Sequence, residues 1–135
     1  MSNELAAVAL SAQVRPRLLQ RTRAYVRGGY ALLQDWLKNH GKIFTCRPPD
    51  AGPIAFVRYH LDVNSSAFVE GLRRRKSVLI VPGDHFELDH FVRIGFGGPQ
   101  DRLVAALNLI HEYLLEIGER SPDEGESPRK PCCSK

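Results

Sequence analysis

The chain has 135 residues, 43% hydrophobic and 25% charged, enough for one globular domain with its own core. No apolar run approaches the roughly 18 residues of a membrane span, and three cysteines, two of them adjacent, set neither a disulfide framework nor a zinc spacing. The net charge of +4 is uneven: residues 13–47 carry eight Lys or Arg against one acid, Asp35.

The opening stretch MSNELAAVAL has neither the charged start nor the long apolar centre of a secretory signal. With the cysteine pattern, it predicts the reducing cytoplasm. Residues 3–12 are rich in Ala and Leu and predict a helix. Pro16 then marks either a kink or the first turn of a second helix. From Leu19, apolar residues at Val26, Tyr30, Leu33 and Leu37 share one helical face. Gly28-Gly29 interrupts that face, as a bend or as a place where another segment comes close. Gly41 is a plausible stop.

Ile43 to Cys46 predicts a short strand, and Pro48-Pro49-Asp50-Ala51-Gly52-Pro53 a rigid turn. Ile54 to His60 is a second strand. Asn64 is placed to cap a helix whose inward residues are Phe68 and Leu72, with Val63 packing on Phe68. Arg73, Arg74, Arg75 and Lys76 close this helix, where cations oppose the negative end of the dipole. Val78 to Val81 is an unbroken apolar run that suits a strand buried on both faces, ended by Pro82-Gly83.

Phe91 to Phe96 is the last strand. Alternation puts Val92, Ile94 and Phe96 on one face and Phe91, Arg93 and Gly95 on the other. Gly98-Pro99-Gln100-Asp101 opens a final helix with an apolar stripe of Leu103, Leu107, Ile110, Leu114 and Ile117. Gly118 fits its stop. Residues 119–135 turn to Ser, Pro, Glu and Lys and predict a disordered tail. The expectation is therefore an α+β chain in three parts: a long helical segment over 1–40, a two-layer small domain over 41–118, and the tail over 119–135. The sheet has three or four strands, mixed or antiparallel, with helices on one face.

Pro82-Gly83, Phe86 and above all Arg93-Ile94-Gly95-Phe96 resemble the C-terminal small domain of the class I and II, fold-type I pyridoxal-phosphate-dependent aminotransferases. Pro49-Asp50-Ala51-Gly52 with Ile54-Ala55-Phe56-Val57 is similar to that family's turn and first small-domain strand. Glu4-Leu5-Ala6, Ala9-Leu10 and the basic helix to Asn39 look like its interdomain segment. The resemblance covers roughly residues 3–117. One departure is Glu87, where relatives often carry glycine.

The resemblance implies that Arg93 binds the α-carboxylate of the amino-acid substrate. A guanidinium presents paired N–H donors in one plane, which suits that task; by pattern alone, a surface arginine is the commoner explanation. It also implies a pyridoxal phosphate cofactor, amino-acid and 2-oxo-acid substrates and a homodimer in the complete enzyme. None of Lys38, Lys42, Lys76 and Lys135 has the Ser-x-x-Lys setting of a Schiff-base lysine, and Lys130, which follows Ser127 at that spacing, lies in the polar stretch that predicts a disordered tail. The resemblance places that lysine, its acidic partner and the phosphate loop upstream of Met1. The expected product is an aminotransferase portion, truncated or a fragment, inactive alone and with no cofactor-binding or catalytic residue of its own.

The competing expectation is a non-catalytic basic module binding nucleic acid or an acidic partner through residues 13–47 and 73–76. A solvated helix face explains those charges more simply, since no aromatic stacking platform accompanies them. His85 and His90 crowd one loop with Asp84, Glu87 and Asp89, where polar loop residues are commoner than a metal site. His60 and His111 read as isolated structural residues. Asp101 with Glu112 or Glu116 makes no acid–base pair. Cys132-Cys133-Ser134-Lys135 puts a cysteine four from the end, but no aliphatic residues follow it as a prenylation signal requires.

Overall fold

A computed structural model describes residues 2–118. Helix α1 spans Ser2–Leu10 and α2 spans Arg15–Asn39. Strands β1 (Phe44–Cys46) and β2 (Ile54–Tyr59) follow, then α3 (Ser65–Lys76) and β3 (Val81–Pro82). A 3₁₀ turn at Gly83–Phe86 leads to β4 (Phe91–Gly95) and α4 (Gln100–Gly118).

Pro16 lies in the first turn of α2, where its missing N–H is no loss. The helix then runs unbroken through Gly28-Gly29. Of the two readings for the glycine pair, close approach is the one realised. A side chain at position 29 would run into the Phe96 carbonyl, and one at position 28 into the Gln100 amide. Asn64 caps α3 as its sequence predicts, accepting from the N–H groups of Ser66 at 3.0 Å and Ala67 at 3.4 Å. Ser77 ends the helix in the left-handed conformation, its N–H donating to the Arg73 carbonyl at 3.1 Å.

The four strands form one antiparallel sheet in the order β1-β2-β4-β3. Its inner face presents Phe44, Ala55, Val57, Tyr59, Val92 and Ile94, all buried. Against it pack Leu33 of α2, Phe68 and Leu72 of α3, and Leu103, Leu107 and Ile110 of α4. Burying each such side chain contributes roughly 1.5–3 kcal/mol. The Tyr59 hydroxyl donates to the Val63 carbonyl at 2.7 Å, so its one polar atom is answered. Burial, with the Asp89 and Asp84 charges nearby, pushes its pKa up to about 12. The expected two-layer α+β domain behind a long helical segment is the architecture found, with an antiparallel sheet.

One strand differs from expectation. Val78 to Val81 is not buried on both faces. Val78 and Ile80 are buried, but Leu79 is 76% exposed. The ladder with β4 begins only at Val81, opposite Arg93, and takes in Pro82, opposite Val92. Pro82 is thus the last strand residue and not the start of the turn. An edge position explains this: proline lacks a donor, and an edge strand does not need one on its open side. Residues 119–135, read as a disordered tail, lie outside the described residues.

Lys76 also differs from a simple dipole cation. Its side chain is only 15% exposed and reaches Glu112 at 2.9 Å and Glu116 at 2.8 Å, tying α3 to α4.

Candidate functional site

The helices cover one face of the sheet and leave the other open. Period-two alternation puts Ile54, Phe56 and Arg58 of β2 on the open face, with Phe91 and Arg93 of β4 and Val81 of β3 beside them. Arg93 stands directly across from Phe56 on one side and Val81 on the other. Its guanidinium lies over the Phe86 ring, 5.6 Å from the centroid, within cation–π range. Phe86 meets Phe56 edge-on at 6.2 Å, and Phe56 stacks on Phe91 at 5.0 Å. Three phenylalanines therefore fix the surroundings of one half-buried arginine. Among the described residues no acid pairs with it. An apolar-flanked guanidinium without a counter-ion is equipped to take a carboxylate from solution.

The loop that sets Phe86 in place is built by its two acids. Asp89 Oδ1 accepts from the Ser65 N–H at 2.8 Å and the His90 N–H at 2.7 Å, and Oδ2 from the Asn64 amide at 2.9 Å. Asp84 Oδ2 accepts from the Ser66 N–H at 3.2 Å, and the Asp84 N–H donates to Ser65 Oγ at 3.0 Å. Both carboxylates thus sit at the N-terminus of α3, where the helix dipole and free N–H groups favour negative charge. The pKa of each is lowered, Asp89's chiefly by the Ser65 N–H and Asp84's by hydrogen bonding from Ser66. Glu87 takes φ +61° right after Phe86, a left-handed position where glycine is at ease. The departure from glycine at Glu87 thus falls at a left-handed position of the turn.

Other singled-out residues do not join this site. Lys38 pairs with Asp35 on the surface of α2, and Lys76 is held by α4. Lys42 precedes the sheet and is exposed. Lys130, Lys135 and the Cys132-Cys133 pair lie outside the described residues. His60 and His111 are not isolated. His60 Nε2 lies 3.3 Å from Thr45 Oγ1, and His111 Nδ1 lies 2.9 Å from His40 Nε2, whose ring stacks on Trp36. The His40–His111 contact joins α2 to α4 and was not visible in sequence, because 71 positions separate the two residues. Among the described residues no group of three or more His, Cys, Asp or Glu side chains is arranged to hold a metal. No described helix is long and apolar enough to cross a membrane.

One residue of the open face, Arg58, is not singled out by the sequence, and the role of another residue beside the site is not visible there. Arg58 alternates with Phe56, the same signal that singles out Arg93 on β4. Phe86 carried the resemblance, but its place over the guanidinium depends on the loop path.

A PLP-dependent aminotransferase from Streptococcus suis 89-1591 matches the chain with a TM-score of 0.77 at 27% identity, over 90% of this chain and 30% of that one. An aminotransferase from Mycobacterium tuberculosis matches with a TM-score of 0.73 at 28% identity, over 82% and 30%. This is the small-domain fold of the PLP-dependent aminotransferases. The PLP-dependent cyclase OrfR shares it, with a TM-score of 0.71 at 28% identity over 78% and 29%. The aminotransferase-type small domain thus also serves a protein named for a different reaction, and the fold alone does not fix the chemistry. The chain spans about 30% of the length of each of these proteins. No model of a known protein family matches it, and no curated protein does.

Proposed function

We propose that this chain is the C-terminal portion of a pyridoxal-phosphate-dependent aminotransferase and that Arg93 binds the substrate α-carboxylate. The observation that carries this reading is the setting of Arg93: outward on β4, flanked by Phe56 and Val81, laid over Phe86 and unpaired with any described acid. The likeness to aminotransferase small domains supports it from a separate direction. The complete enzyme would move an amino group between an amino acid and a 2-oxo acid, as a homodimer in the cytoplasm.

When bound, pyridoxal phosphate supplies the electron sink for that exchange. The described residues do not make a site for it. Among the described residues Arg93's face carries no lysine, and the one poorly exposed lysine, Lys76, is engaged by two glutamates on α4. The attachment lysine would come from outside residues 2–118, so the chain alone is expected to be inactive. The role of this domain is positional. It holds a planar cation at fixed height on a rigid sheet, so that the substrate carboxylate docks in one orientation.

The basic-module reading has less to work with. Arg73 and Arg74 share Glu70 at 2.7 and 2.6 Å, Lys76 is held by α4, and Arg75 lies over the Tyr113 ring 5.8 Å from its centroid.

The deciding experiment is kinetic. In a longer aminotransferase containing this domain, Arg93→Ala should lower kcat/KM for amino-acid substrates about ten- to hundredfold, the loss expected for one charge-assisted contact. Unchanged kcat/KM would remove Arg93 from the site.

A further inference from the structure

His40 and His111 meet in the helical layer, away from the open face of the sheet. His40 Nε2 lies 2.9 Å from His111 Nδ1, and the two rings stand edge to face with planes 71° apart. His40 is the residue that ends α2, and His111 lies in α4. The His40 ring is fixed from its own side. It stacks on Trp36 at 4.1 Å, and its Nδ1 lies 2.8 Å from the Trp36 carbonyl. The His40 carbonyl accepts from the N–H groups of Ile43 and Phe44, both at 2.9 Å.

A carbonyl only accepts, so His40 Nδ1 carries its proton and donates to Trp36. In the neutral ring that leaves Nε2 as a lone pair beside His111. An imidazole that donates its far N–H to a backbone carbonyl is the arrangement that orients metal-ligating histidines and raises their basicity. Two nitrogens, each about 2.0–2.1 Å from one ion, stand about 2.9 Å apart at a right angle and about 3.4 Å apart at the tetrahedral angle. The observed 2.9 Å therefore needs little movement to admit an ion. His111 is exposed, which gives the ion a way in and lets water fill its remaining positions.

We propose that His40 and His111 form a site for one divalent ion of the imidazole-preferring class, Zn²⁺, Ni²⁺ or Cu²⁺, which clamps the end of α2 to α4. Without the ion, and with both rings neutral, His111 Nδ1–H donates to His40 Nε2. On binding, that proton passes through solvent to His111 Nε2, so both rings stay neutral and each offers one lone pair. Neutral imidazole selects such ions over Mg²⁺ and Ca²⁺, which take oxygen ligands. The site does not depend on the role of Arg93.

Trp36 is the only tryptophan of the chain, and its stack on His40 makes its fluorescence a local reporter. The test uses the full chain carrying Cys132→Ser and Cys133→Ser, so that the adjacent thiols do not take the ion. Ni²⁺ should quench Trp36 saturably, at one ion per chain. Ni²⁺ or Zn²⁺ at about ten times its Kd should raise the melting temperature by about 3–6 °C. His111→Asn should melt normally without metal, weaken Ni²⁺ binding at least about tenfold and lose the thermal shift. His60→Asn, which removes an imidazole engaged with Thr45, should change neither readout, and Mg²⁺ should produce neither. A second measurement needs no substitution at the site: Zn²⁺ should move the ring C–H NMR signals of His40 and His111 before those of His60, His85 and His90. Absent or unsaturable quenching, an equal response to Mg²⁺, a His60→Asn effect as large as that of His111→Asn, ring signals that move in another order, or a melting temperature that the metal lowers would overturn the proposal.

Discussion

Gly29 of α2 lies against the main-chain carbonyl of Phe96, the residue that follows β4. That contact sets how closely the long helix approaches the strand carrying Arg93. Alanine is the better helix former by roughly 1 kcal/mol. At position 29, however, its methyl meets backbone, which cannot rotate away. Gly29→Ala should therefore destabilise the domain by about 1–3 kcal/mol, the usual cost of overpacking. At position 28 the neighbour is the end of the Gln100 side chain, which can move. Gly28→Ala should be neutral or stabilising by up to about 1 kcal/mol. Urea unfolding of the two variants side by side checks this. Equal effects would remove the close-approach explanation.

Glu87 follows Phe86 with φ +61°, a conformation that costs an L-residue with a Cβ roughly 1–2 kcal/mol. Glycine removes that strain but adds about 0.5–1 kcal/mol of unfolded-state entropy. Glu87→Gly should thus raise stability by up to about 1 kcal/mol. A lower melting temperature would mean that the glutamate side chain supports the turn.

The carboxylates at the start of α3 make stability acid-sensitive. Asp89 and Asp84 have folded pKa values below their unfolded ones. Glu70 behaves likewise, drawn down to about 2 by hydrogen bonds from Arg73 and then Arg74. For groups lowered on folding, the stabilisation is complete above the unfolded pKa of about 4 and drains as pH falls toward the folded value. Urea midpoints should therefore be flat near neutrality and fall below about pH 4. Asp89→Asn should make that acid limb shallower. Stability that rises on acidification would contradict the capping role.

The cap of α3 has a second test. Asn64→Ala removes the acceptor for the Ser66 and Ala67 N–H groups and the donor to Asp89. The expected loss is about 0.5–2 kcal/mol. Asn64→Asp keeps the acceptor but sets a second carboxylate beside Asp89, so it should restore only part of that loss. Full recovery with aspartate would show that the Asn64–Asp89 contact adds nothing.

Local signals in the sequence were reliable where one interaction decides the outcome. Asn64 as a cap and the alternation along β4 each depend on neighbours a few residues away, whereas Pro16 left a kink and a first turn equally open. The run Val78 to Val81 was misread because hydrophobicity reports burial, not ladder partners. Val78 and Ile80 are buried while the ladder waits until Val81. The two arginines of the open face were equally visible as outward strand positions, but only Arg93 carried a family resemblance. The Phe56–Phe91 stack is a matter of register between two strands. Register of that kind is set by packing across the sheet.

Whether Arg93 is a ligand or a support of the fold is the central question. Its strand neighbours Val92 and Ile94 fill the core, while Arg93 rests on Phe86 at the open face. The most direct measurement pairs a melting curve of Arg93→Ala with a titration of the same variant by 2-oxopentanoate. Stability should change by no more than about 1 kcal/mol, the combined range for a surface substitution and one exposed cation–π contact. Carboxylate binding should weaken at least tenfold, and Arg93→Lys should recover little of it, because an ammonium lacks the planar fork. An Arg93→Ala chain that unfolds, or that folds and binds the acid as tightly as before, would contradict the account.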